Sequence, residues 1–211
     1  MGMKVKISRM GMVMTAGAMA LGLVGVWREG ARLSEIWKQT GPWFMVALAA
    51  MIHELGHIVS ARWMGAEIRG IKLDLFGARL ELGGLLSYKG EFCIAAGGPL
   101  ANSLCVALLY PLRISRENRD MALFLGVSFI LACVNLLPVG TLDGGRMLRS
   151  IVAWLGGDRA AEILLRGTTG LCLGMLWLLA AYALLRRGEF LSVFAFSLCL
   201  LFRTMGGGEH S

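Results

Sequence analysis

The sequence is poor in charge, in proline and in patterned cysteine. Charged residues make up only 17% of its 211 residues, and proline occurs four times. Soluble domains carry about 25% charged residues, so this shortage argues against a soluble protein. The five cysteines lie at wide spacings in apolar stretches without any C-x-x-C pair. We interpret them as packing residues and not as a disulfide framework.

Apolar residues take the place of the missing charge. They account for 56% of the chain, and a helix needs about 20 of them to cross the hydrocarbon core of a bilayer. The apolar stretches that approach this length are 11–27, 42–64, 91–110, 121–139, 163–185 and 189–203. We therefore expect an all-α polytopic membrane protein with about six transmembrane helices. The first stretch could also be a signal peptide, but its length and the lack of a clean cleavage site favour a retained span.

The basic residues indicate membrane orientation. The net charge is +7, but Lys and Arg are scattered between apolar runs, so we expect no nucleic-acid partner. An even number of spans puts both termini on one side. With a cytoplasmic N-terminus, more than half of the 21 Lys and Arg residues lie on the cytoplasmic side. We therefore expect cytoplasmic N- and C-termini.

Residues 66–89 differ from the rest of the chain. Apolar residues alternate with polar ones between Ile68 and Leu82, and glycines punctuate the run. A period of two with turn signals predicts two or three short β-strands. Because open strand edges cannot face lipid, we expect this segment at the membrane interface or against the helices.

The sequence His-Glu-Leu-Gly-His at 53–57 carries the clearest chemistry. Residues i and i+4 share one helix face, so His53 and His57 can bind one ion, while Glu54 is placed to take a proton from attacking water. Packing is the alternative, but charged groups inside a span cost about 2.5–3.5 kcal/mol each and are functional by default. We predict one zinc ion per chain, with Glu54 as general base.

A catalytic zinc ion takes three protein ligands and keeps one position open. His210 lies in a polar tail, where a fixed ligand is not expected. Asp143 lies in a segment rich in Pro and Gly, whose irregular backbone must line a cavity or pack on protein. It could instead cap the following helix as a turn residue. Because two histidines leave a catalytic zinc ion one protein ligand short, we predict Asp143 as the third ligand.

Together, these elements resemble the site-2 protease family of intramembrane zinc metalloproteases. The resemblance covers residues from about 42 to 156, and the elements follow the order of that family. They are His-Glu-Leu-Gly-His at 53–57, Gly-Gly-Pro-Leu-Ala-Asn at 97–102, and the segment from Asn135 to Gly145 that contains Leu-Asp-Gly-Gly. The resemblance implies that His53, His57 and Asp143 bind zinc and that Glu54 activates water.

The resemblance also implies roles for two asparagines. Asn135 would hydrogen-bond the substrate backbone or the oxyanion. Asn102 would support the site, and a hydrogen bond between helices is the alternative role for it.

The glycines and prolines of these elements have implied structural roles. Gly97, Gly98 and Pro99 would allow close helix approach or a local break, and Pro138 would shape the turn that delivers Asp143. The pair that follows Asp143 would let the backbone approach closely; it consists of Gly144 and Gly145.

Within the family, the chain is most similar to the sporulation-type branch (stage IV sporulation protein FB-like). We interpret residues 1–211 as a single integral membrane metalloprotease domain without a PDZ or CBS domain. The implied function is hydrolysis of a peptide bond in or near a transmembrane segment of a membrane-associated substrate, such as a pro-sigma or anti-sigma factor. The enzyme would lie in a bacterial cell membrane, open to the cytoplasm, with a regulatory membrane protein as a further partner. The alternative is a metal-binding transporter or sensor without hydrolytic activity.

Overall fold

The structure is a computed structural model, and it describes residues 4–7, 33–74, 77–84, 86–111 and 119–187. Most of these residues are helical. The helices are α1 (Leu33–Trp63), α2 (Tyr88–Leu109), α3 (Arg119–Asn135) and α4 (Asp143–Arg187). The strands are β1 (Lys4–Ile7), β2 (Glu67–Asp74) and β3 (Gly77–Gly83). The predicted combination of a mainly helical chain and a small sheet is confirmed.

Three helices in the described part of the chain are long and apolar enough to cross a membrane. They are Thr40–Trp63, Tyr88–Leu109 and Asp143–Tyr182, and they contain most of the predicted spans 42–64, 91–110 and 163–185. The predicted span 121–139 is represented by α3, which has only 17 residues. The predicted spans 11–27 and 189–203 lie outside the described residues, so the number of six stays a prediction.

Large apolar side chains point away from the protein along these helices. On α1, the exposed fractions of Trp43, Met51 and Val59 are 73%, 58% and 65%. Exposed apolar surface of this extent is typical of contact with a membrane or a partner. Together with the length of the helices, it identifies an integral membrane protein.

The described residues form two compact units, and the first contains α1 and the sheet. It comprises the residues before Ser87 together with Gly97–Cys133. Its core lies where Ala49 of α1 packs against Phe124 and Leu125 of α3. The indole N–H of Trp37 donates a hydrogen bond of 2.7 Å to the carboxylate of Asp120. These contacts hold α1 beside α3.

Helix α1 ends at a glycine C-cap that turns the chain into the sheet. Gly65 has a positive φ of 70°. Its N–H donates to the carbonyl of Arg62 at 3.0 Å, and the N–H of Ala66 donates to the carbonyl of Ala61 at 2.9 Å. This pair of bonds is the Schellman motif, which satisfies the last carbonyls of a helix. The chain therefore enters β2 within two residues of Gly65.

The sheet has the order β1-β2-β3. β2 and β3 are the short strands that alternation within 66–89 predicted. They pair with each other in antiparallel, and β1 pairs with β2 in parallel. β1 was not predicted from the sequence. Four residues are too short for their alternation to distinguish a strand from a tail, so β1 depends on its pairing with β2.

The second unit comprises Ser87–Ala96 and the described residues from Val134 onward. Its apolar core contains Val139, Leu142 and Leu173. Polar contacts connect the start of α2 with the first half of α4. The Arg149 guanidinium lies 3.9 Å from the Glu91 carboxylate and 3.5 Å from the Asp158 carboxylate.

Helix α4 is interrupted at Gly157, which has φ 84° and ψ 166°. The chain between the predicted spans 121–139 and 163–185 is helical from Asp143 onward, on both sides of Gly157. A residue with positive φ that precedes more helix is a position that glycine occupies at little cost.

Candidate metal centre

The two histidines of His-Glu-Leu-Gly-His lie on one face of α1, as their spacing predicted. His53 and His57 are both buried, with 5% and 6% of their surface exposed. Their ring centroids are 4.9 Å apart, and the ring planes meet at 82°. Two buried imidazoles on the same face of an apolar helix can share one ion.

Gly98 of α2 lies against the Nε2 atoms of both histidines. A Cβ atom at this position would be 2.7 Å from Nε2 of His53 and closer still to Nε2 of His57. No residue with a side chain fits there without displacing the rings. The two Nε2 atoms therefore approach one point beside the backbone of α2.

Small residues allow α1 and α2 to approach this closely. A Cβ atom on Gly56 would lie 2.7 Å from Cβ of Ala101 and closer to the carbonyl oxygen of Gly97. Small residues at such crossings let helix backbones come into contact in membranes. α2 stays helical through Gly97 and Pro99, so these residues support close approach and not a local break. Gly56 was missed from the sequence, although its spacing of four from Ser60 is a small-xxx-small signal.

Asn102 of α2 is completely buried beside His53. Its Nδ2 atom lies 3.5 Å from Nδ1 of His53. Within the described part of the chain, its Oδ1 atom has no hydrogen-bond partner. The predicted role of Asn102 in supporting the site stays a prediction, but its position next to a proposed ligand agrees with that role.

Asp143 is the first residue of α4. It is 8% exposed, and its Oδ1 lies 3.7 Å from a guanidinium nitrogen of Arg146. The partial positive charge of a helix N-terminus stabilises a carboxylate at this position. Asp143 therefore starts a helix, as its alternative role of helix cap predicts. Its side chain is also buried, as a metal ligand requires.

The loop before Asp143 is held by short backbone hydrogen bonds. The N–H of Val139 donates to the carbonyl of Leu137 at 2.8 Å, which makes a three-residue turn around Pro138. The fixed φ of proline is close to the value that this turn requires. The N–H of Gly140 donates to Oγ1 of Thr169 at 3.0 Å. Thr169 was not identified from the sequence, because no local motif connects it with a loop 29 residues earlier.

The two glycines after Asp143 lie beneath this loop. A Cβ atom on Gly144 would overlap the carbonyl of Leu136, and one on Gly145 would overlap the carbonyl of Val139. Backbone cannot move aside as a flexible side chain can. The absence of side chains here therefore lets the loop fold over the start of α4.

One nitrogen from His53, one from His57 and one carboxylate oxygen of Asp143 lie within 4.8 Å of one another, a group that could bind a metal ion. Ligand atoms bound to tetrahedral zinc at about 2.1 Å are about 3.4 Å apart. Rotation of the side chains on binding can close this difference. Two imidazoles and one carboxylate with a fourth position left open are a ligand set of catalytic zinc, so the residues fit the predicted ion.

Glu54 and Asn135 are the remaining residues with predicted catalytic roles. Glu54 is half-buried and follows His53 on α1, and Asn135 is half-buried at the end of α3. Both make interactions within the protein. Their roles as general base and as oxyanion or substrate donor stay predictions.

Comparison with known proteins gives a family match and several relatives. The model of peptidase family M50 matches residues 119–176. A Mycobacterium tuberculosis protein provisionally named zinc metalloprotease Rip3 is 34% identical over 137 residues, which are 56% of this chain and 35% of that protein. Stage IV sporulation protein FB of Bacillus subtilis is 31% identical over 106 residues, which are 48% of this chain and 36% of that protein. The chain thus spans about a third of the length of the curated relatives it matches.

The fold is also that of a solved structure. The Site-2 Protease from Methanocaldococcus jannaschii matches 96% of this chain and 89% of its own, with a TM-score of 0.64 and 21% sequence identity. At this identity the likeness shows a shared fold. The chain is therefore similar, over part of its length, to peptidase family M50 and to proteins named zinc metalloproteases, and it has the fold of a site-2 protease.

Proposed function

We propose that the protein is an intramembrane zinc metalloendopeptidase. It hydrolyses a peptide bond in or near a transmembrane segment of a membrane-associated protein. The observation that carries this proposal is the buried group of His53, His57 and Asp143, two members of which lie on a helix apolar enough to cross a membrane. Glu54 beside His53 supplies the base that hydrolysis requires and that simple metal binding does not.

Each residue of the proposed site has its own role in catalysis. His53, His57 and Asp143 would hold the zinc ion, which would supply Lewis acidity toward the scissile carbonyl and lower the pKa of the attacking water. Glu54 accepts a proton from the attacking water and delivers it to the leaving amine. The three ligands are buried, so bulk water is kept from the reacting groups. Asn135 donates a hydrogen bond to the substrate backbone or to the developing oxyanion.

The depth of the histidines in the membrane fits a reaction that needs water. Helix α1 ends at Trp63, and Arg62 follows His57 by five residues, about 7–8 Å along a helix. Arginine near the end of a span extends to the membrane surface, and cytoplasmic ends are rich in it. We place the opening of the active site, and both termini, on the cytoplasmic side of a bacterial cell membrane.

A substrate helix must unwind before it can be cut, because its carbonyls are engaged in i→i−4 hydrogen bonds. The sheet offers a means of holding the unwound segment. β2 pairs with β1 and with β3, so it has no free edge, whereas β3 pairs with β2 on one side only within the described residues. We assign β3 the role of adding the substrate as a further strand through main-chain hydrogen bonds.

Proline substitutions along β3 test this assignment. Successive N–H groups of an edge strand point alternately toward its partner strand and away from it. Proline at alternate positions of β3 removes either the N–H groups that face β2 or the N–H groups that face outward. Loss of the outward set should abolish cleavage of a model substrate while the protein stays folded. Unchanged cleavage would show that the sheet only covers the helices.

The substrate class and partners follow from relatives and remain part of the proposal. One relative carries the name Stage IV sporulation protein FB. We propose that the substrate is a single-span or membrane-attached regulator, such as a pro-sigma or anti-sigma factor. A regulatory membrane protein would control its access to the site.

Replacement of Glu54 by Gln is the decisive experiment. Glu54→Gln removes the base but leaves the three ligands, so the variant should bind one zinc ion per chain and accumulate an uncut membrane protein in its host. Quantitative proteomics of host membranes detects that protein. Glu162→Gln is the matched control, because Glu162 is an exposed carboxylate paired with Arg166 on α4, and it should cleave as the wild type does.

The alternative function is a transporter or sensor that binds metal without hydrolysis. Such a protein would bind metal with the same three ligands, but Glu54 would have no chemical role in it. If membrane proteomes of wild type and Glu54→Gln are identical while both bind zinc, this alternative replaces the protease proposal.

A further inference from the structure

The side-chain amide of Asn102 is buried, and its hydrogen bonding within the described residues is incomplete. The side chain has no solvent exposure, its Nδ2 lies 3.5 Å from Nδ1 of His53, and its Oδ1 lacks a partner among the described residues. A buried acceptor without a donor is unfavourable and rare in native proteins. Such a group calls for an explanation beyond packing.

Metal binding at His53 determines which nitrogen of its ring carries the proton. Nδ1 of His53 faces the amide of Asn102, which leaves Nε2 of His53 as the nitrogen that would bind an ion. A neutral imidazole has one lone pair and one N–H. When the lone pair of Nε2 binds an ion, the proton is on Nδ1. Nδ1 of His53 is then a donor and needs an acceptor.

Asn102 can provide that acceptor by a half-turn of its amide. The oxygen and the nitrogen of a carboxamide have nearly the same shape, so rotation about the Cβ–Cγ bond exchanges them in place. After this rotation Oδ1 faces the Nδ1–H of His53 at the position that Nδ2 occupies. The oxygen thereby gains the Nδ1–H of His53 as its donor, and Nδ2 takes the position that Oδ1 leaves.

We propose that Asn102 is a positioning residue for the metal ligand His53. In the metal-bound state its Oδ1 accepts a hydrogen bond from Nδ1–H and fixes both the tautomer and the orientation of the ring. The proposal deepens the proposed function, since it rests on His53 as a zinc ligand. Acceptors on the far nitrogen of ligand histidines commonly change metal affinity 10–100-fold.

A neutral amide is a reasonable choice for this position. Carboxylates often serve as the acceptor for ligand histidines, but an additional buried charge inside a membrane span is costly. Asn102 supplies a carbonyl acceptor without charge. The simpler role for Asn102 is a hydrogen bond that holds α1 to α2. Gly56 and Gly97 already bring these helices into backbone contact, so that role is separable from metal binding.

Three variants of the full chain in detergent separate the two roles. Asn102→Leu keeps the volume and removes the acceptor, Asn102→Asp keeps the acceptor, and Ser128→Ala removes another buried polar atom without a partner in the described part of the chain. The zinc dissociation constant is measured by competition with a chromophoric chelator. The visible spectrum of the cobalt-substituted protein and the thermal midpoint of the metal-free protein are recorded in parallel.

The expected results differ clearly. Asn102→Leu should bind zinc about 10–100-fold more weakly and shift the cobalt bands, with a metal-free midpoint close to that of the wild type. Asn102→Asp and Ser128→Ala should bind zinc at least as tightly as the wild type.

Several outcomes overturn the proposal. Equal zinc affinity of Asn102→Leu and wild type does so, as does an Asn102→Asp variant as weak as Asn102→Leu. If Asn102→Leu does not fold, weakened binding by a folded Asn102→Asp decides against the proposal. A wild-type protein that binds no zinc removes this inference and the proposed function together. A wild type that binds zinc but cuts nothing removes only the protease activity.

Discussion

Gly98 lies at the point on α2 that the two histidine rings approach. The site requires glycine there, because a side chain would collide with the rings. Gly144 and Gly145 act in a similar way at the start of α4, where the carbonyls of Leu136 and Val139 take the space of a Cβ atom. The ligands could be identified from the sequence by their chemistry. The glycines that make room for them were recognised only through the motifs around them, because glycine at a close approach has no periodic signature.

Replacement of Gly98 by Ala should remove zinc without unfolding α2. The new methyl group would lie within 2.7 Å of Nε2 of His53 and displace both rings, while alanine favours the helix over glycine by about 1 kcal/mol. We expect at least ~10-fold weaker zinc binding, equivalent to about 1.4 kcal/mol, with unchanged helicity. Elemental analysis of the purified protein measures the zinc, and circular dichroism measures the helix content.

Gly126→Ala is the control for that change. Gly126 lies on α3 with open space around the position of a Cβ atom, so the variant should retain one zinc ion per chain. Stoichiometric zinc in Gly98→Ala as well would contradict the placement of the Nε2 atoms.

The elements of the fold were predictable to different degrees. α1, α2 and the pair β2–β3 follow from patterns that extend over many residues, with apolar runs for the helices and alternation for the strands. β1 has only four residues and depends on a partner far along the chain, which local pattern cannot detect. The first half of α4 was not among the predicted spans, because its charged residues interrupt the apolar run; these charges pair with one another, as Arg149 and Asp158 do.

The contact between α1 and α2 should be sensitive to volume at Gly56. Leucine there would overlap the backbone of Gly97, and overpacking of this kind costs about 1–3 kcal/mol or more. We expect Gly56→Leu to lower the midpoint of unfolding in detergent and to weaken zinc binding, since His53 and His57 are on the same helix. Gly174→Leu on α4, where the Cβ position is open, should do neither.

Thr169 should stabilise the loop that precedes Asp143. Thr169→Val keeps the shape but leaves the N–H of Gly140 without its acceptor, a loss of about 1–3 kcal/mol where the group is buried. We expect a lower midpoint of unfolding and slower cleavage. Thr168→Val is the neighbouring control, because the hydroxyl of Thr168 donates to the carbonyl of Leu165 in its own helix at 3.2 Å. Equal effects of the two variants would show that the bond to Gly140 contributes nothing specific.

For the whole molecule, composition already indicated the class of protein and the ligands indicated its chemistry. The low charge and the apolar runs reflect the solvent around the chain, which acts on every residue and is therefore visible in bulk numbers. The association of Asp143 with His53 and His57 crosses about 90 positions of sequence. It was inferred from the requirement of catalytic zinc for a third ligand, from the Pro- and Gly-rich segment around Asp143, and from the family resemblance. The periodicity of the helices does not express it.

A zinc site of this kind also links the stability of the whole protein to the zinc concentration. An ion that binds only the folded state stabilises it by an amount that grows with ion concentration, about 2.7 kcal/mol at 100 times the dissociation constant. Addition of zinc to the metal-free protein should therefore raise its thermal midpoint in detergent. Asp143→Asn has nearly the same shape but weaker ligand oxygen, so its shift should be much smaller. Asp120→Asn is the control, because its side chain can still accept the hydrogen bond from Trp37, and its shift should equal that of the wild type. If zinc raises the midpoint of Asp143→Asn as much as that of the wild type, Asp143 is not a ligand, and the third ligand must be sought elsewhere in the chain.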